Sequence, residues 1–124
     1  MDINFKYNSL VESLKLIAIS YDEQIEVLPD FVEIVDEIIS TFCDSFLQMP
    51  QIIENDLLSK KAIAEIIRCF NWIDLLSRQE QMLNKEALKS ADSWEKARHF
   101  AKKALEEMKE KIVKPDLSHI DWVD

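Results

Sequence analysis

Two pairs of acidic residues have a spacing that suits a divalent cation. Glu23 and Glu26 are three residues apart, and so are Glu33 and Asp36. On an α-helix, residues three apart lie on adjacent turns of one face, so each pair could present two carboxylates to one ion. Magnesium prefers oxygen ligands and keeps water molecules for phosphate chemistry. This spacing therefore raises the hypothesis of a magnesium-dependent phosphohydrolase.

The all-α nucleoside triphosphate pyrophosphatases use such carboxylate pairs on two facing helices, and the chain resembles them in this respect alone. Only six residues, Pro29 among them, separate Glu26 from Glu33. So short a segment cannot return a second long helix beside the first. We therefore predict no metal site, no cofactor and no enzymatic activity, and we keep a magnesium-dependent nucleotide phosphohydrolase as the alternative.

The other reactive side chains have no catalytic pattern around them. Cys43 and Cys69 form no CxxC pair, and we expect both to be small buried side chains. His99 and His119 do not occur in the HExxH or ExxH spacing of zinc proteases and di-iron proteins. The chain also contains no glycine, which excludes a P-loop, a GxGxxG dinucleotide motif and a GxSxG nucleophile elbow.

The distribution of charge is the most informative functional feature. The chain has 24 acidic and 15 basic residues and a net charge of −9. No lysine or arginine occurs between Lys15 and Lys60, whereas ten acidic residues do. Because nucleic acid binding requires a basic surface, we expect no direct nucleic acid ligand. A surface this acidic attracts a basic protein and speeds its association.

We predict that these acidic side chains bind a protein partner. An exposed tryptophan is expected near the centre of the interface, because binding hot spots favour that residue. The predicted partner-binding residues are Asp22, Glu23, Glu26, Asp30, Glu33, Asp36, Glu37, Asp44 and Trp72. The alternative is a solvated face that only keeps the protein soluble. The length of the segment without a basic residue favours partner binding.

Hydrophobic periodicity predicts four main helices that position these side chains. We expect them near residues 9–20, 30–47, 60–76 and 93–113. Each predicted helix has a capping residue at its start, whose side chain can accept a hydrogen bond from an N–H of the first turn. These predicted N-caps are Ser9, Asp30, Ser59 and Asp92.

The second of these helices has the clearest apolar face. Large apolar residues recur at helical spacing along it, namely Phe31, Ile34, Val35, Ile38, Ile39, Phe42 and Phe46. The third helix is less regular, because Asp74 falls near the middle of its apolar face and Trp72 nearly opposite. Either that helix ends by about Ile73, or it packs on two sides and Asp74 is hydrogen-bonded; we slightly favour the second interpretation.

Shorter features complete the predicted architecture. Ser20 and Glu23 predict a capping box for a short helix that Pro29 ends, and a second short helix is predicted at residues 85–89. The apolar tail at residues 117–123 is expected to dock. No segment alternates in the manner of a strand. The prediction is a single all-α domain over residues 1–124, a bundle of four main helices with short connecting helices.

The cellular location is predicted from what the sequence lacks. No apolar run approaches the ~20 residues that a membrane-spanning helix requires. The first residues show neither the basic start nor the apolar stretch of a signal peptide. We therefore expect a cytoplasmic protein with no membrane partner.

Two segments resemble a known group of proteins. Residues 28–38 begin with Leu-Pro-Asp-Phe-Val and end with Asp-Glu-Ile, and residues 87–98 place Trp94 four residues before Arg98, followed by alanines at helical spacing. Together they resemble small all-helical bacterial immunity proteins of polymorphic and contact-dependent growth-inhibition toxin systems. This resemblance implies a cytoplasmic protein that binds and neutralises a cognate toxin, often a nuclease. It brings no catalytic residues, and a structural or adaptor bundle is a further alternative.

Overall fold

The computed structural model describes residues 2–120, and helices make up most of this part of the chain. They are α1 (Ile3–Ala18), α2 (Tyr21–Val27), α3 (Ile34–Phe46), α4 (Met49–Glu54), α5 (Lys60–Ser77), α6 (Lys85–Ser90) and α7 (Asp92–Glu107). A 3₁₀ turn at Glu80–Met82 precedes α6. The described residues include no strand, which confirms the all-α prediction. None of these helices is both long and apolar enough to span a membrane.

Two of the predicted helix starts are wrong. α1 begins six residues before Ser9, because the carboxylate of Asp2 accepts a hydrogen bond from the backbone N–H of Asn4 at 3.1 Å and caps the helix there. α3 begins at Ile34 and not after Asp30. Glu33 occupies its N-cap position, but the Glu33 side chain makes no capping hydrogen bond. Residues 28–33 instead form a turn between α2 and α3.

The starts of α2 and α5 are confirmed. Ser20 and Glu23 make both hydrogen bonds of the capping box, with 3.2 Å between each donor and acceptor. The Ser59 hydroxyl accepts a hydrogen bond from the Ala62 N–H at 3.1 Å, and α5 runs on to Ser77. Asp92 is the first residue of α7 and not its cap, so the predicted N-cap at Asp92 is wrong.

Two helices end in a left-handed residue that is not glycine. Lys109 has a φ of 61° after α7, and Asp56 has a φ of 58° after α4. At each end, the N–H of the left-handed residue and the N–H of the residue after it donate to carbonyl oxygens of the last turn, which is the Schellman arrangement. α7 therefore stops at Glu107, several residues earlier than predicted.

α7 lies between α1 and α5 and makes its most extensive contact with α5. Three alanines on α7, Ala97, Ala101 and Ala104, are fully buried, and their small side chains allow neighbouring backbones to approach. The Cys69 thiol of α5 donates to the carbonyl oxygen of Ala97 at 3.6 Å. Large apolar side chains from α1, α3 and α5 complete the core around this contact.

α3 meets α5 through aromatic side chains. The rings of Phe46 and Phe70 are stacked, with their centroids 4.0 Å apart and their planes 10° apart. Cys43 lies three residues before Phe46 on α3, and Asp74 lies four residues after Phe70 on α5. The negative charge of Asp74 acts on the Cys43 thiol, so these two residues are also near each other. α3 and α5 are therefore antiparallel neighbours.

The segment after α7 folds back over the start of the chain. Leu117 is buried, the Tyr7 hydroxyl donates to the Glu110 carboxylate at 2.9 Å, and the His119 ring lies edge-on to Phe5 with centroids 6.0 Å apart. The described part of the tail docks as predicted. Trp122 and Val123, which belong to the same prediction, lie outside the described residues.

Candidate functional site

The predicted acidic residues lie on α2, on the turn that follows it and on α3. Asp22, Glu26, Asp30, Glu33, Asp36 and Asp44 are exposed, and Glu23 and Glu37 are half-buried. Helical phase placed the α3 acids opposite the apolar face of that helix, and the exposure of Asp36 and Asp44 agrees with it. We call these eight residues the acidic surface.

Few basic groups compensate this charge. Within residues 2–120, Glu26 is the single member of the acidic surface with a lysine, arginine or histidine nitrogen within 4 Å. Its partner is Lys114 of the C-terminal segment, whose ammonium donates a hydrogen bond to the carboxylate. That hydrogen bond, and then the negative charge of Glu26, raise the pKa of Lys114.

Glu23 has a local structural role. Its carboxylate accepts hydrogen bonds from both the backbone N–H and the hydroxyl of Ser20, at 3.2 and 3.1 Å. A carboxylate near a helix N-terminus also interacts favourably with the helix dipole. Among the predicted partner-binding residues, Glu23 is therefore the one most fully engaged in holding its own helix.

Two apolar side chains lie exposed among the acids. Phe31 is 51% exposed and Ile25 is 39% exposed. The sequence pattern placed Phe31 on the apolar face of a helix, but α3 begins three residues later, so Phe31 belongs to the turn and points away from the core. Beside them is an open depression of about 630 Å³, lined by Asp22, Ile25, Glu26, Leu28, Pro29, Asp30, Val32, Ile34 and Lys85.

The predicted aromatic contact residue is not an exposed one. Trp72 is half-buried on α5 and packs against the hydrophobic core. α5 continues past it, as the favoured interpretation required, and Asp74 forms an ion pair with Arg78 at 3.1 Å. Phe31 and Ile25 are therefore better placed than Trp72 to provide apolar contact within the acidic surface.

The two carboxylate pairs are not arranged as the magnesium hypothesis requires. Glu33 precedes the first turn of α3, so Glu33 and Asp36 are not on adjacent turns of one helix as predicted. Glu23 is hydrogen-bonded in its capping box and Glu26 is paired with Lys114. Over the described part of the chain, no three His, Cys, Asp or Glu residues are grouped so that they could hold a metal ion.

The cysteines have the properties of packing residues and not of nucleophiles. Burial raises the pKa of the fully buried Cys69. Burial, followed by the negative charges of Asp44 and Asp74, raises the pKa of the half-buried Cys43. Because the thiolate is the reactive form and reactive cysteines have a lowered pKa, neither environment activates a thiol.

Trp94 and Arg98, which belong to the segment resembling immunity proteins, are both buried. The Trp94 indole N–H donates to the Met82 carbonyl oxygen at 2.9 Å. Arg98 donates to the carbonyl oxygens of Ile19 and Leu88, at 3.2 and 3.4 Å, and pairs with Glu95. Sequence reasoning missed this role of Arg98, although its position one turn after Trp94 was a usable signal.

The structure defines an all-α protein in which Ile25 and Phe31 are exposed beside acidic residues of α2 and of the turn that follows it. No protein-family model, curated protein or solved structure matches the chain.

Proposed function

We propose that the protein binds a basic protein through the acidic surface and neutralises it by covering its active cleft. The observation that supports this most directly is the position of Phe31 and Ile25 among carboxylates of which, within residues 2–120, Glu26 alone has a cation within 4 Å. Apolar contact at the centre with charge around it is the usual anatomy of a protein interface. Complementary charge would then speed association.

A cognate toxin domain, often a nuclease, is the partner that the resemblance to immunity proteins suggests. A cleft that binds nucleic acid is basic, so an acidic protein can occupy it in place of the phosphate backbone. Such an inhibitor would act in the bacterial cytoplasm, where a nuclease reaches its substrate. We therefore propose a cytoplasmic immunity protein that needs neither a cofactor nor a catalytic residue.

The test begins with capture of the partner on the immobilised protein from source cells, or with co-expression of the toxin gene next to its own. We expect a basic domain that kills cells when expressed alone and is harmless with this protein. Phe31→Ser combined with Asp30→Lys and Glu33→Lys should abolish protection. Glu80→Lys with Glu107→Lys, which changes exposed acids outside the acidic surface, should leave protection unchanged.

Association kinetics separate the electrostatic contribution from the apolar one. Charge reversal at Asp30 and Glu33 should slow association, with a smaller effect at high salt because exposed charges are screened over about 8 Å at physiological ionic strength. Phe31→Ser alone should mainly speed dissociation. Full protection and an unchanged association rate in the charge-reversed variant would contradict the proposal and leave a solvated face as the explanation.

A further inference from the structure

A cavity of about 390 Å³ lies where the end of α1, the start of α2, the end of α6 and the middle of α7 meet. Its volume is at the lower end of the range for sites that bind small molecules. It shares Glu23 with the acidic surface, and its other lining residues lie outside that surface. It shares no lining residue with the open depression beside Phe31.

The guanidinium of Arg98 is fixed at the wall of this cavity. The Arg98 side chain is 10% exposed, and its Nε and Nη2 donate to the carbonyl oxygens of Ile19 and Leu88. Its Nη1 pairs with the Glu95 carboxylate. A guanidinium has five N–H donors, so two of those on Arg98 have no acceptor among residues 2–120. Because the carbonyl oxygens hold the group in one orientation, a ligand would not have to order it on binding.

Two lysines lie beside this guanidinium. Lys89 follows Leu88 in the chain, and Lys102 is one turn after Arg98 on α7; both line the cavity. In the described part of the chain, neither lysine ammonium has a carboxylate oxygen within 4 Å. Within residues 2–120, this leaves two cations without an ion pair in one cavity, although the protein has a net charge of −9.

The acidic residues that line the cavity do not offset the lysines. Glu95 is paired with Arg98, and Glu23 accepts hydrogen bonds from the backbone N–H and the hydroxyl of Ser20. The lining therefore contains three cations and two carboxylates, and both carboxylates are already engaged. A ligand with negative charge would pair with the lysines, whereas a cation would be repelled by them.

We propose that this cavity binds the phosphate group of a small molecule between Lys89, Arg98 and Lys102. A phosphate monoester has three terminal oxygens that accept charge-assisted hydrogen bonds, so one oxygen can be directed to each cation. A carboxylate has two such oxygens and would leave one cation without a partner. Tyr21 also lines the cavity, and its hydroxyl can donate a further hydrogen bond. The site does not depend on the proposed toxin partner.

Inorganic phosphate is the first probe. It is titrated into isotope-labelled protein at an ionic strength kept constant with sodium chloride, and binding is followed through backbone amide chemical shifts by NMR. We expect saturable changes at residues 19–21, 88–89 and 95–102. Succinate, titrated in parallel, should bind about tenfold more weakly, because each carboxylate leaves one cation unpaired. Changes that do not saturate or that lie elsewhere, or succinate that binds as tightly as phosphate, would overturn the proposal.

Two double variants with the same change in charge test the role of the lysines. Lys89→Gln with Lys102→Gln leaves Arg98 and its hydrogen bonds in place and should weaken phosphate binding by about tenfold or more. Lys61→Gln with Lys96→Gln removes the same charge from exposed positions outside the cavity and should bind phosphate as the wild type does. Circular dichroism should show that both variants remain helical. Equal affinity of the two variants for phosphate would contradict the proposed site.

Discussion

The acidic surface and the α5–α7 pair differ in how their charged side chains are paired. On α5 and α7, acids and cations three or four residues apart form ion pairs along the same helix, as in Glu65–Arg68, Asp74–Arg78, Glu95–Arg98 and Lys103–Glu106. On α2 and α3, the ion pair at Glu26 reaches to the C-terminal segment for its lysine. One region therefore satisfies its charges within each helix, while the other tolerates mutual repulsion.

Arg98 should show the largest stabilising effect of any charge on α5 and α7. Arg98→Met removes the donors for the Ile19 and Leu88 carbonyl oxygens inside the protein. We expect the free energy of unfolding to fall by about 3 kcal/mol, measured by chemical denaturation. The control Arg78→Met removes the more exposed ion pair with Asp74 and should change it by about 0.5 kcal/mol or less. Equal effects would contradict the structural role of Arg98.

Neutralising one acid in each region should have effects of opposite sign. Asp44 lies in the last turn of α3, where its charge opposes the helix dipole, so Asp44→Asn should raise the free energy of unfolding by about 0.5 kcal/mol at low salt. Glu95→Gln weakens the pair with Arg98 and should lower it by about 1 kcal/mol. Chemical denaturation at low and high salt measures the change in unfolding free energy for both variants. If Glu95→Gln raised the free energy of unfolding, the two regions would not differ as described.

A small, pH-dependent effect is expected at Tyr7, which joins the N-terminal region to the C-terminal segment. Burial, then the hydrogen bond to Glu110 and its negative charge, raise the pKa of Tyr7 from 10.0 to about 12. The neutral phenol therefore contributes stability that is fully present below pH 10 and is lost as pH rises towards 12. Because Tyr7 is partly solvated, we expect a contribution below about 1 kcal/mol.

A comparison of Tyr7→Phe with the wild type isolates this contribution. The difference in unfolding free energy between the two proteins should be constant up to about pH 10 and shrink at higher pH. A difference that stays constant through that range would show that Tyr7 ionises as freely in the folded state as in the unfolded one.

The sequence predicted the helices better than their ends. Periodic apolar residues identified α1, α3, α5 and α7, because burial of one face decides whether such a segment is helical. Ser9 and Asp30 are good capping residues, but a cap is used only where the helix begins. The buried Leu28 and the 3.3 Å hydrogen bond from the Val32 N–H to the Pro29 carbonyl oxygen hold residues 28–33 in a turn.

The start of α3 at Ile34 also explains what the sequence did not predict at the candidate site. Asp36 and Asp44 of α3 are exposed as helical phase predicted, whereas Glu37 is half-buried and Glu33 lies before the helix. Phe31 fits the apolar period of α3 by chance, and the turn exposes it. Trp72 was expected on the surface from its angle on α5, but packing by other elements covers it. Side chains that depend on tertiary neighbours could not be assigned from one helix at a time.

The central position of α7 has a consequence for synthesis of the protein. α1 and α5 both pack on this helix, and it is the last helix of the described chain to leave the ribosome. Until residues 92–107 emerge, the apolar sides of α1 and α5 that pack on α7 remain uncovered. The nascent chain therefore exposes them throughout most of translation, and binding by a chaperone in that interval would protect it from aggregation.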